Sequence, residues 1–289
     1  MITALISGLA VGCVYALVAI GFSMIFRAMA LVNFAQGDIM MLGAFAGYTI
    51  LLFIPEAPYP LLVLGAIVAG GVVGYLLERL ILRPAVKRNA NQIYLVLLTL
   101  GIGMVLSNGA RLIWGANPVV YDLPLRFEIV EFGDETLPVV YFYIAGGMAV
   151  ILLLLHYFFT RTWTGLTLRA VADDPNSAGL MGISVTRASS IAFIIAAMLG
   201  TVAGVFYAPL YFVSFDMGLI GIKAFAAAAV GGFGNVQGAV IGGLVIGVAE
   251  AIGGSFLGTE FQDSIAFATM IILLLIRPKG LLGKGVLAP

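Results

Sequence analysis

The sequence predicts an all-α, polytopic membrane protein with about eight transmembrane helices. Composition is the first reason: of 289 residues, 62% are hydrophobic and 10% charged, where soluble domains carry roughly 25% charged residues. The second is that apolar runs near the ~20 residues needed to cross a bilayer recur along the whole chain. The third is that these runs are continuous, unlike the short alternating segments of a transmembrane barrel. The formal net charge of zero argues against nucleic acid as a partner, because that partnership rests on a basic surface.

The first run, residues 2–26, ends at Arg27. It has no basic leader segment and is too long for a signal peptide, so it is expected to remain as a span. A short linker with Asn33, Gln36 and Gly37 leads to a second span at 38–54, which Pro55, Pro58 and Pro60 end. The third is 61–82, followed by a polar linker from Arg83 to Asn91, and the fourth is 93–114. A polar stretch over 115–137 carries Asp122, Glu128, Glu131, Asp134 and Glu135 before the fifth span at 138–159. The longest polar connection, 160–189, reads as two short helices. One covers Thr164 to Asp174 and stops at Pro175; the other starts from an Asn176 cap and ends at Gly182. The sixth span is 190–212, and 219–230 is too short to cross comfortably alone, a half-helix or a short span. Spans at 236–254 and 264–276 precede the tail Arg277-Pro278-Lys279-Gly280.

Lys and Arg in short loops set orientation. If 219–230 crosses, Arg27, Arg79, Arg83, Lys87, Arg88, Arg161, Arg169, Arg187, Arg277, Lys279 and Lys284 share one side. Arg111, Arg126, Lys223 and the acidic 115–137 loop then face the other. This places the C-terminus in the cytoplasm and the N-terminus outside.

Two features suggest how such a bundle is used. Gln36-Gly37 and Gln237-Gly238 each open a span, and Arg83-Pro84 and Arg277-Pro278 each close the next, which predicts two parallel pseudo-repeats. Parallel repeats of this kind occur in transporters. Residues 223–250 are rich in Gly and Ala and broken at Gly231-Gly232-Phe233-Gly234. Small residues allow close helix approach, and an intramembrane break is tolerated only where protein or a water-filled cavity covers the freed backbone. The expectation is a pair of helices lining a path, with a short broken helix.

No catalytic set is visible. One cysteine (Cys13) and one histidine (His156) form neither a zinc site nor a nucleophile pair, and no phosphate-binding loop occurs. Ionisable and amide side chains within spans are functional candidates. The candidate path residues are Asn33, Gln36 and Asp38 at the second span's entry, and Gly231, Gly232, Asn235, Gln237 and Glu250 in the broken pair. Capping at a helix N-terminus is the simpler reading of Asp38, interhelical hydrogen bonding that of Glu250, and local pairing or snorkelling that of Glu78 and Arg79.

At these residues the chain resembles the inner-membrane permeases of branched-chain amino acid ABC importers, of the LivH type. The resemblance runs nearly end to end. It is carried by Tyr15-Ala-Leu17, Val32-Asn-Phe-Ala-Gln-Gly-Asp38, Glu78-Arg79 with Arg83-Pro84, and Arg169-Ala170 with Asp174, Ala178 and Gly182-Ile183. Lys223-Ala-Phe225, Gly231-Gly-Phe-Gly234 with Gly238-Ala239 and Gly242-Gly243, and Arg277-Pro278 with Gly280 complete it. The family often carries histidine at position 36 and glutamate at 38. The related LivM-type chains usually carry extra N-terminal sequence, so the LivH side is expected.

The resemblance implies a single permease domain over 1–289 that forms half of a pathway in the bacterial cytoplasmic (inner) membrane. A second, LivM-like permease would complete the pathway as a heterodimer. Two separate ATPase subunits would bind the ATP, no cofactor residing in this chain, and an external binding protein would deliver substrate. The 160–189 loop would hold the cytoplasmic coupling helix, with Arg169, Asp173, Asp174, Ala178 and Gly182 as ATPase contacts. Sequence leaves other readings open: urea, amides or aromatic acids as cargo, or a stand-alone channel or ion-coupled carrier.

Overall fold

The computed structural model describes residues 2–88, 90–122, 129–132 and 135–283. Inside a bilayer no water bonds the backbone, so each apolar run closes its own hydrogen bonds as a helix. The order is α1 (Ile2–Met29), α2 (Gln36–Phe53) and α3 (Tyr59–Leu77), which continues through a π-helical stretch (Glu78–Leu82) into α4 (Arg83–Lys87). Then come α5 (Gln92–Trp114), strands β1 (Ile129–Phe132) and β2 (Glu135–Pro138), α6 (Val140–Arg161), α7 (Trp163–Asp173) and α8 (Pro175–Leu180). The chain closes with α9 (Val185–Tyr207), α10 (Ile220–Gly231), α11 (Val236–Leu257) and α12 (Gln262–Ile276).

Among the described residues, 8 helical segments are long and apolar enough to cross a membrane; Tyr59–Lys87 counts as one, and Thr259–Ile276 includes α12. The 12-residue α10 takes the first of the two forms that its length left open, a half-helix. The architecture is all-α and polytopic, as expected, with one short addition: β1 and β2 pair antiparallel, Ile129 opposite Pro138, inside the acidic loop. Several expected boundaries shift. The linker at 83–91 is helical as far as Lys87, and the sixth span begins at Val185 and ends at Tyr207. Arg126, Glu128, Asp134 and Lys284, for which the sequence also set expectations, lie outside the described residues.

The buried axis is α1, from Ala10 to Ile25. It runs antiparallel to α11 at backbone contact. A Cβ added to Gly243 would lie 2.5 Å from Ala16 N, and one on Gly247 2.4 Å from Gly12 Cα. The same device joins α2 to α9, where a Cβ on Gly204 would stand 2.0 Å from Met40 O and one on Gly43 2.1 Å from Thr201 O. Packing of small residues replaces the hydrophobic drive that lipid abolishes.

The C-terminal end of α1 meets the α10–α11 turn, with Arg27 beside Gly234, and that turn meets the C-terminal tail at Lys279 and Gly283. Ile2 and Gly283, the first and last described residues, therefore lie at opposite ends of the bundle. α1, α2 and α3 run in alternating directions, as do α10, α11 and α12. The paired glutamines differ in surroundings, however: Gln36 is buried and Gln237 exposed.

At the end that carries α7 and α8, Leu168, Val171, Ala178, Ala188 and Ala192 form a separate small core. Glu78 is buried there, accepts a hydrogen bond from Ser190 Oγ and lies 4.0 Å from Arg83 Nε. Arg79 turns outward, 5.9 Å from the Tyr75 ring centroid. The π-helical turn starts at this glutamate, and π-bulges commonly mark such local adjustments.

Candidate functional site

Among the described residues, the path candidates from the sequence fall into three polar places in the apolar bundle. The first lies where α2 begins. The chain turns after α1 with Ala30 at φ 51°, and residues 31–35 enter the bundle without helix. Such a segment needs partners for its backbone. Phe34 N donates to Thr99 Oγ1 at 3.1 Å, and Ala35 N to Asn33 Oδ1 at 3.2 Å. Gln36 Nε2 donates to Ala196 O on α9 at 2.8 Å, and Asn33 Nδ2 reaches Gln36 Oε1 at 3.4 Å. Asn33 and Gln36, both fully buried, thus hold a broken backbone in place. Asp38 sits in the first turn of α2, which has no side-chain cap. Its carboxylate lies against Gly103 of α5 and Gly218, just before α10. Gly37 faces Gly221 so closely that a Cβ on Gly37 would stand 2.8 Å from Gly221 Cα. The N-termini of α2 and α10, each a positive dipole end, therefore meet inside the bundle with Asp38 beside them.

The second place is a charge cluster toward the opposite end from α8. Lys223 Nζ of α10 lies 2.6 Å from Glu250 Oε1 of α11 and 2.5 Å from Asp263 Oδ1 of α12. Tyr15 of α1 donates its hydroxyl to Glu250 Oε2 at 2.9 Å. The lysine thereby ties three helices, and Glu250 adds α1 as a fourth through Tyr15. Glu250, the path candidate, is 7% exposed and borders a small cavity of about 80 Å³ with Ser7, Tyr211 and Gln262. Lys223 was expected only as a residue of the outer side. No local spacing signals the pairing, because its partners stand 27 and 40 positions along the chain.

The third place is the glycine-rich turn. Asn235 caps α11, its Oδ1 accepting from Gln237 N at 3.0 Å and Gly238 N at 3.1 Å. Its Nδ2 donates to Leu282 O at 2.9 Å. Gly232 at φ 98° makes the turn, and a Cβ there would meet Gly283 N at 2.6 Å. The freed carbonyls of Val230 and Gly231 accept from Leu281 N at 2.7 Å and Leu282 N at 3.1 Å. The break is thus covered by the chain's own tail. Asn235 and Gln237 also line a larger cavity, about 630 Å³, between α1, α6, α7 and α11.

The five loop candidates separate by role. Arg169 and Asp173 are exposed, and Asp173 pairs with Arg27 at 2.6 Å. Asp174, rather than the expected Asn176, caps α8, because Pro175 fills the first helical position, where its missing N–H costs nothing. Asp174 Oδ1 accepts from Asn176 N at 2.9 Å and Ser177 N at 3.2 Å. The Ser177 hydroxyl first, and then these backbone bonds, hold its carboxyl below its ordinary range. Ala178 is 5% exposed, inside the small core. Gly182, at φ 81°, closes α8: Ile183 N bonds Ala178 O at 3.0 Å and Gly182 N bonds Gly179 O at 3.0 Å, the paired bonds of a Schellman motif. The large apolar side chains exposed at the end of α8 are Leu180 and its cap residue Met181, at 89% and 84% exposure, which sequence reasoning missed.

Among the described residues no group of His, Cys, Asp and Glu could hold a metal ion. The family model described as "Branched-chain amino acid transport system / permease component" matches residues 4–274. The high-affinity branched-chain amino acid transport system permease protein BraD of Pseudomonas aeruginosa is 34% identical over 97% of this chain and 95% of its own. The corresponding protein LivH of Salmonella typhimurium is 33% identical over 96% and 94%. One chain of a solved structure, PsaBC from Streptococcus pneumoniae in complex with Fab, has the same fold. Its TM-score is 0.52 at 19% identity, covering 96% of this chain and 91% of that one. The chain belongs to the branched-chain amino acid transport system permease family.

Proposed function

We propose that this chain is one of two permease subunits of an ABC importer in the bacterial inner membrane and forms half of a path for branched-chain amino acids. The observation that carries the reading is the meeting of α2 and α10 inside the bundle, in a chain of this family. Helices that begin inside the membrane present N–H groups and a positive dipole end to whatever passes, and an amino acid brings a carboxylate to that end. Asn33, Gln36 and Asp38 are the groups nearest this junction, and Glu250 with Lys223 guards the approach from the other end.

The chain itself performs no chemistry. Force enters at α8, whose exposed Leu180 and Met181 suit a groove on an ATPase subunit, as apolar helix faces do. The α7–α8 end then faces the cytoplasm with the C-terminus, and the N-terminus faces outside. Partners are a second permease of the LivM kind, two ATPase subunits that bind the ATP, and an external binding protein. The test is uptake of labelled leucine by proteoliposomes holding the four membrane and ATPase subunits. Uptake that needs both ATP and loaded binding protein supports the reading; uptake driven by an ion gradient without ATP overturns it.

A further inference from the structure

The 630 Å³ cavity at the α7–α8 end has a wall, a mouth and an unused polar group that together suit a lipid. Leu152 and Leu155 of α6 face Val240 and Ile241 of α11 across it, with α1 as the floor. The volume falls in the 300–1,000 Å³ range of ligand sites, and the walls are apolar.

The mouth is basic. Arg27 and Arg169 line it with His156 and Gln237. Arg27 is engaged by Asp173 at 2.6 Å. Arg169 makes no ion pair among the described residues, so its charge is free for an anion. Trp163 and Leu166, on the outward side of α7, are 79% and 48% exposed. An exposed Trp beside apolar residues at a span's end marks the headgroup level of a bilayer, which puts the mouth at the depth of lipid phosphates.

Ser23 supplies the third observation. It lines the cavity, is fully buried, and its hydroxyl has no partner among the described residues. A buried hydroxyl without a partner carries a desolvation cost. Ser23 lies four residues before Arg27, about 6 Å deeper along α1. In a diacyl lipid the ester carbonyls lie on the chain side of the phosphate, so an acceptor arrives where the hydroxyl needs one.

We propose that this groove binds one anionic phospholipid from the leaflet on the α7 side. Its phosphate meets Arg169, an ester carbonyl accepts from Ser23, and an acyl chain fills the α6–α11 wall. Basic pockets between transmembrane helices hold anionic headgroups in this way.

The assembled transporter, extracted in mild detergent and stripped of lipid, is offered phosphatidylglycerol or phosphatidylcholine and read by native mass spectrometry. The expected result is one phosphatidylglycerol per copy of this chain, at concentrations where phosphatidylcholine leaves none. Arg169→Gln weakens retention by about tenfold, the size of one charged hydrogen bond. Ile241→Trp fills the groove and abolishes retention while leaving the basic mouth intact. Equal retention of both lipids, or retention untouched by either substitution, overturns the proposal. So does a photo-crosslink from a photoreactive residue placed at position 241 to the partner permease, which would make the groove a subunit interface. None of these outcomes depends on the identity of the cargo.

Discussion

Lys223 is the residue whose loss is expected to cost most. Removing one member of a buried ion pair leaves an uncompensated charge, at about 3–5 kcal/mol. Lys223→Ala strands Glu250 with Tyr15 alone, because the two remaining carboxylates cannot pair with each other. Glu250→Ala leaves Lys223 the Asp263 carboxylate, which is 73% exposed, so that variant is expected to lose less. Replacing both, as Lys223→Met with Glu250→Met, removes the charge problem and should be more stable than Lys223→Ala. Thermal unfolding in detergent ranks the three; a double variant no better than Lys223→Ala would contradict the assignment. Asp174 gives a pH-dependent counterpart at the surface. Its carboxyl titrates below its ordinary value in the folded chain. The capping contribution is therefore present above the unfolded pKa near 3.9 and lost as pH falls through the lower, folded value. Asp174→Asn keeps an acceptor for the α8 N–H groups and should remove that acid-range dependence, read by circular dichroism or amide exchange at α8. A dependence that persisted below pH 4 in Asp174→Asn would assign it elsewhere.

Elements pack here through glycines, and much of that was legible beforehand. The Gly-Ala richness of α10 and α11 pointed to close approach, and Gly243 and Gly247 touch α1 as the pattern implied. What the sequence withheld were the partners. Gly204 of α9 lies against α2 at Met40, a separation in sequence that no periodicity encodes. Gly204→Leu would drive a side chain into backbone, where overpacking costs at least ~1–3 kcal/mol. The expectation is failure of the protein to accumulate in membranes; normal levels with normal uptake would contradict the packing. The glycine-rich turn carries a similar lesson. Its break was visible, but not its cover, because Leu281 and Leu282 stand about fifty residues downstream. The cap of α8 was misplaced by two residues because Asp174-Pro175-Asn176 offers two capping side chains, and only Pro at the first helical position decides between them.

For the whole molecule, composition and the lengths of the apolar runs carried class and span count, since a bilayer restricts a chain to few solutions. The short α10 was legible from length alone, and it is what sets Ile2 and Gly283 at opposite ends of the bundle. The site was less legible. Asn33 and Gln36 are bonded to backbone and Gly231 to the tail, so the residues proposed for the path already carry structural duties. The importer reading places α8 in the compartment of the ATPases. Introducing Met181→Cys into a chain whose buried Cys13 is replaced by alanine turns that placement into one observation. Membrane-impermeant thiol reagent should fail to label Met181→Cys in intact cells and label it in inside-out vesicles, where added ATPase subunits protect it. Labelling of intact cells would put α8 on the outer face, where no ATPase could drive it.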